Sequence, residues 1–314
     1  MRVLKFIGIG LAVLGVVLAA GFLYFRSVAY AKLEKSYEVS APELPIPLPP
    51  AAAAAQGGAA LGAEAELAAA VERGRHYVNS RAACTECHSH DLSGKVLIDN
   101  PIMGRWVAPN ITGRDVKSMT GSDWLRLIRH GVKPDGKPTT MPCTDFTWFS
   151  DQEISDIAAF VRSQPEVSRE QPAIVMGPVF ALMFAQGVIP VSAEVIDHAA
   201  PRLKYPPALT PSLELGKHLA TTCTGCHGQN FSGGPITGGD PDWAPARNIT
   251  FHATGIAGWT LEDFRKALRE GLRKDGAPIQ APMPVAYTKN LQDAEIEALY
   301  VYLKQQPPAP YATR

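Results

Sequence analysis

Two stretches of the 314-residue chain bring together residue types that do cofactor chemistry: Cys84-Thr85-Glu86-Cys87-His88 and Cys223-Thr224-Gly225-Cys226-His227. In each, two thiols stand one helical turn apart and a histidine directly follows the second. Thiols so spaced suit addition across two neighbouring vinyl groups of a porphyrin, and the adjacent imidazole reaches the iron. The pattern is that of covalent haem c attachment, twice. Two other chemistries use a Cys-x-x-Cys pair. A zinc ribbon needs four ligands close in space, yet these two pairs stand 136 positions apart (87 and 223). A thioredoxin-type redox pair expects a βαβ setting, which the helical periodicity of the flanks denies. The fifth cysteine, Cys143, stands alone and reads as a buried inert thiol.

The motifs are landmarks in an internal repeat. Glu72-Arg73-Gly74-Arg75-His76 returns as Glu214-Leu215-Gly216-Lys217-His218, and Ala108-Pro109-Asn110-Ile111-Thr112 as Ala246-Arg247-Asn248-Ile249-Thr250. Asp135-Gly136 matches Asp275-Gly276, and Met141-Pro142 matches Met283-Pro284. A single methionine usually packs a core. Two at matching positions in proline-rich loops are candidates for the sixth ligand, opposite His88 and His227. His130 and His252 have no histidine partner in the other copy, and His90 reads as a surface or propionate-facing side chain.

The elements that must position these residues are helical. Leu67, Ala70, Val71, Gly74 and Tyr77 form a stripe ahead of the first motif. Ser150-Asp151 caps a helix with Ile154, Ile157, Ala158 and Val161 on one face, and Asp293 opens its counterpart with Ile296, Leu299 and Leu303. Trp124, Leu127 and Ile128, like Phe264, Ala267 and Leu268, mark a middle helix. Gly74 and Gly216 allow a crossing helix close approach. No sustained strand alternation is present, so the expected class is all-α: two tandem copies of one domain behind an N-terminal helix.

That N-terminal helix comes from Phe6 to Phe25, twenty uncharged residues with Arg2 and Lys5 before and Arg26 after, long enough to span a bilayer. Ala29-Tyr30-Ala31 resembles a signal-peptidase site, but the apolar run exceeds what a signal peptide needs, and residues 1–31 are read as a retained anchor. Residues 32–63 follow as a Pro/Ala-rich linker, its proline half stiff and holding the first domain off the membrane, its Ala51–Ala55 run continuing into the next helix. The expected domains span 64–165 and 208–314. Between them, 166–207 carries an uncharged stretch, Ala173 to Val191, broken by Pro178, Gly187 and Pro190. It reads as a short apolar helix packed between the domains, with contact to a membrane surface as the alternative. Thirty basic residues balance thirty acidic ones, which argues against a nucleic-acid binder working through a basic field.

On these motifs, with Gly258-Trp259-Thr260-Leu261-Glu262-Asp263-Phe264, Arg269-Glu270-Gly271 and Pro282-Met283-Pro284, the chain resembles class I c-type cytochromes, in particular the cytochrome c subunits of bacterial membrane dehydrogenases. Those subunits typically carry three haem motifs; this chain has two. The resemblance implies two covalently bound haem c groups and, for Asn110 and Asn248, a place near the propionates or over the haem edge. It implies a non-enzymatic electron carrier at the bacterial cytoplasmic membrane, its haem domains on the periplasmic side, where haem attachment takes place. A filled sixth site leaves no room for a small-molecule substrate. Expected partners are redox proteins or a membrane respiratory complex: a periplasmic dehydrogenase, a quinol-oxidising complex or a terminal oxidase. Alternatives are a subunit of a dehydrogenase, oxidase or photosynthetic assembly and, in the enzyme class, a dihaem peroxidase with one open iron site.

Overall fold

The uncharged N-terminal run forms one long helix, α1 (Arg2–Glu34), in the computed structural model, which describes residues 2–51, 62–236 and 242–313. The repeat then appears as two mostly helical units. The first holds α2 (Ala63–Asn79), α3 (Cys84–His88), α4 (Gly121–His130) and α5 (Asp151–Ser163). After α6 (Pro178–Ala185), the second holds α7 (Leu213–Ala220), α8 (Thr224–His227), α9 (Leu261–Glu270) and α10 (Asp293–Gln305). Capping boxes start four of these helices in matched pairs: Thr120 with Asp123 and Thr260 with Asp263, then Ser150 with Glu153 and Gln292 with Glu295.

In each unit the helix ahead of the cysteine motif crosses the last helix at a glycine. A Cβ at Gly74 would stand 1.9 Å from the Asp156 carbonyl oxygen, and one at Gly216 would stand 2.1 Å from that of Ala298. The contact is backbone against helix, which only glycine permits. Val78, Leu125, Phe149 and Ile154 fill the first core; Leu215, Phe264, Ile296 and Leu303 fill the second.

Three features depart from the expected layout. A three-stranded antiparallel sheet interrupts the all-α pattern, in the order β1 (Lys95–Asn100), β2 (Gly104–Ala108), β3 (Val175–Met176). β1 is exposed along nearly its whole length, so no apolar alternation marks it. The Pro-rich linker is no free spacer in its first half. Leu44 and Leu48 are buried in the first core, and Ser155 Oγ accepts from the Leu48 N–H at 2.7 Å and donates to the Pro45 carbonyl at 2.8 Å. Residues 37–48 therefore strap the first unit, each leucine adding roughly 2 kcal/mol of burial. Most of the alanine run lies outside the described residues. Finally, α6 packs on the second half of α1 and on the sheet instead of between the units: Phe180 and Phe184 meet Ala29, Trp106 and Met176.

The two units meet through a buried charged cluster with the symmetry of the repeat. His76 Nε2 lies 2.9 Å from Glu295, and His218 Nε2 lies 3.0 Å from Glu153; each pair of equivalents is 142 positions apart (76 and 218, 153 and 295). Arg81 has no counterpart and sits between the carboxylates, hydrogen-bonded to Glu153 and with its Nε 2.9 Å from Glu295. Burial alone would raise the Glu153 carboxyl, but the Arg81 charge and the His218 hydrogen bond hold it down at about 2. Glu295 is lowered too: His76 and Arg81 outweigh the cost of its burial.

Candidate haem-attachment sites

Each motif forms a short helical turn that packs its first cysteine against its own core, Cys84 on the first and Cys223 on the second. Burial pushes both thiols up to about 12, so unreacted they remain protonated and inert. Cys87 is raised by partial burial as well. The histidines are oriented in the same way in both copies. His88 Nδ1 donates to the Pro109 carbonyl at 2.8 Å, and His227 Nδ1 donates to the Arg247 carbonyl at 2.7 Å. With Nδ1 committed, Nε2 is the nitrogen presented to a metal, the arrangement that fixes tautomer and ring plane in a haem ligand. Burial lowers the His88 pKa, favouring the neutral ring that coordinates iron.

The orienting carbonyls are held by the Asn-Ile-Thr loops. Asn110 Oδ1 accepts from Thr112 N and Oγ1, and Asn248 Oδ1 accepts from Thr250 N and Oγ1. The same side chains then donate to the tail leaving the last helix, Asn110 to Val167 O and Asn248 to Ala309 O, both at 2.7 Å. The backbone adds Ile111 N to Leu92 O and Ile249 N to Phe231 O, each 3.0 Å. The resemblance implies a place for these asparagines near the haem propionates or over the haem edge. Their amides are engaged in fixing the loop whose preceding carbonyl aims the histidine, a role signalled by the matched spacing of Asn, Thr and the motif.

Met141 and Met283 occupy half-buried loop positions ahead of matching short turns. Met283 packs against the core that also holds Cys223. The Met141 carbonyl accepts from Ser192 Oγ at 3.0 Å and from Cys143 N at 2.8 Å, so the interdomain segment ties this loop down. Cys143 is fully buried and packs against Gly131, as the half-buried Val285 packs against Gly271, and its Sγ donates to Leu127 O at 3.2 Å. It is a small core residue whose thiol burial pushes well up.

The remaining histidines are accounted for. His130 pairs with His198, Nδ1 to Nδ1 at 3.0 Å, and burial with that neighbour pulls it down to about 4. His252 bonds Thr254, and His90 is exposed. Among the described residues no three His, Cys, Asp or Glu side chains converge as a cation site. Across the units, the turn after Met283 reaches the first motif: Tyr287 lies against Thr85 and Glu86, and Asn290 Nδ2 donates to Asn79 O at 2.7 Å.

Paired thiols on one turn, with a histidine anchored through Nδ1, fit covalent haem c. The comparisons agree. Residues 213–307 match the model described as Cytochrome c, and residues 69–161 match that for cytochrome c oxidase, cbb3-type, subunit III. The chain thus carries cytochrome c domains. It is 38% identical over 101 residues to the fructose dehydrogenase cytochrome subunit of Gluconobacter japonicus, covering 30% of this chain and 21% of that protein. Identity to the cytochrome c subunit of alcohol dehydrogenase (quinone) from Gluconobacter oxydans is 37% over 97 residues, 29% of this chain and 20% of the relative. The gluconate 2-dehydrogenase cytochrome c subunit of Pantoea cypripedii is 35% identical over 95 residues, 28% and 21% of the respective chains. The matched segment spans about a fifth of the length of these curated relatives.

Proposed function

We propose that the chain is a membrane-anchored dihaem cytochrome c that relays electrons between redox partners on the periplasmic side of a bacterial membrane. Its cytochrome c domains are residues 64–165 and 208–314. The reading is carried by one observation: both motif histidines donate Nδ1–H to the carbonyl just before an Asn-Ile-Thr loop. When bound, haem c supplies reversible one-electron ferric/ferrous chemistry. Cys84 with Cys87 and Cys223 with Cys226 would hold it covalently, and His88 and His227 would supply a ligand to its iron. Met141 and Met283 would be the second ligands and, as thioethers, would favour the reduced state relative to a second histidine.

The Tyr287 and Asn290 contacts support exchange between the two centres, because they set the methionine loop of one domain against the cysteine turn of the other. A retained anchor is supported by packing. Cleavage after Ala31 would remove Ala29, which is fully buried beneath α6. The relatives' names point to a dehydrogenase as donor, with this chain as its non-catalytic cytochrome partner.

The test is optical and magnetic spectroscopy of Met141→Ala and Met283→Ala beside the parent. Each change should convert one haem to a different ligation state and leave the other unaltered. If neither variant disturbs its haem, methionine ligation fails; rapid peroxide turnover by the parent would favour the peroxidase reading instead.

A further inference from the structure

We propose that the tip of the β1–β2 hairpin and the start of α6 sit in the leaflet from which α1 emerges, fixing the first domain's orientation on the bilayer. This rests on the reading of α1 as a membrane span. Every residue of α1 from Val3 to Ala20 is exposed, and the helix first meets protein at Phe22. The fifteen uncharged residues of these that follow Lys5, Phe6 to Ala20, reach about 22 Å at ~1.5 Å per residue, short of the roughly 30 Å of bilayer hydrocarbon. The uncharged run closes that gap only by including Gly21 to Phe25, so protein packed beside Phe22 lies within the membrane boundary.

What packs there is apolar on its outer side. A crevice beside Phe22 and Arg26 is lined by Asn100, Pro101, Gly177 and Pro178. Around it Ile102 is 60% exposed, and Ile174, Val175 and Val179 are between 39% and 47% exposed. The backbone groups of Ile102 and Met103 at the tip are paired internally, as residence near hydrocarbon requires. Asn100 Oδ1 accepts from Ile102 N and Met103 N; Val179 N donates to Ile102 O, and Gly177 N to Met103 O, the last two both at 3.1 Å. α6 runs alongside α1 in the same direction, since Lys32 Nζ reaches the Phe184 carbonyl near its far end; Pro178 and Val179 are thus its membrane end. The charged groups nearby are disposed for headgroups: Arg105 pairs with Asp99 at 3.0 Å, and Arg26 follows the apolar run directly. An anchored helix with a second apolar contact beside it cannot swivel freely, which presents the haem domains to partners in one attitude.

The experiment places a spin label at Ile102→Cys, and separately at Val179→Cys and Val13→Cys, in the full holo-chain reconstituted in phospholipid vesicles. The motif thiols are consumed by haem and Cys143 is buried, so the added thiol is the one labelled. Relaxation by dissolved oxygen should exceed relaxation by a water-soluble nickel chelate severalfold at all three positions. Lipid exposure at Val13 with water exposure at Ile102 and Val179 overturns the seating alone. Water exposure at Val13 overturns the anchor, and the seating with it.

Discussion

Asn110 and Asn248 each do two jobs with one amide: the oxygen fixes a tight turn, and the nitrogen pins the tail that follows the last helix. Removing the Asn248 amide leaves the buried Thr250 N–H without its acceptor and takes from the Ala309 carbonyl one of its two donors, a cost of about 2 kcal/mol. Asn248→Ala should therefore lower stability by that amount in chemical denaturation, since Asn248 is almost wholly buried. The residues proposed to hold the cofactor stand out in the sequence because their chemistry demands a fixed local spacing. His76, His218, Glu153 and Glu295 were not. Their partners lie 219 and 65 positions away, and the sequence signals no more than that both histidines and both glutamates sit at equivalent places of the repeat.

Between elements, the two glycine crossings and the charged cluster set how the helices meet. Gly216→Ala would drive a Cβ into the Ala298 carbonyl, which belongs to helix backbone and cannot rotate aside. Such overpacking costs about 3 kcal/mol, read as a lowered denaturation midpoint. The cluster gives a pH signature. Glu153 is depressed in the folded chain to about 2, so its stabilisation is complete above the ordinary glutamate range and is lost as pH falls toward that value. In Glu153→Gln this acid-side slope should flatten, measured as unfolding free energy against pH. The helices were readable from periodicity and the cap at Ser150 from its type, whereas in the second copy Asp293 opens the helix and Gln292 caps it. The hairpin was not, because an exposed strand has no buried face to write into its sequence.

At the scale of the molecule, α1 is two structures in one. Its first half is bare, while its second half, from Phe22 to Leu33, completes the cluster around Phe180 and Phe184. A chain beginning near Gly21 should fold as the parent does, whereas one beginning at Lys35 should expose that cluster, bind a hydrophobic dye and self-associate in size-exclusion chromatography. The strap has the same lesson. Its prolines read as a spacer, but Leu44 and Leu48 among them carry core burial that composition alone conceals.

The two-haem relay is tested most directly by the intact mass of the chain made in a host with haem c maturation. The mass should exceed that of the polypeptide by two haem groups, falling to one in a Cys223→Ala/Cys226→Ala variant. A parent chain carrying one haem, or none, would contradict it.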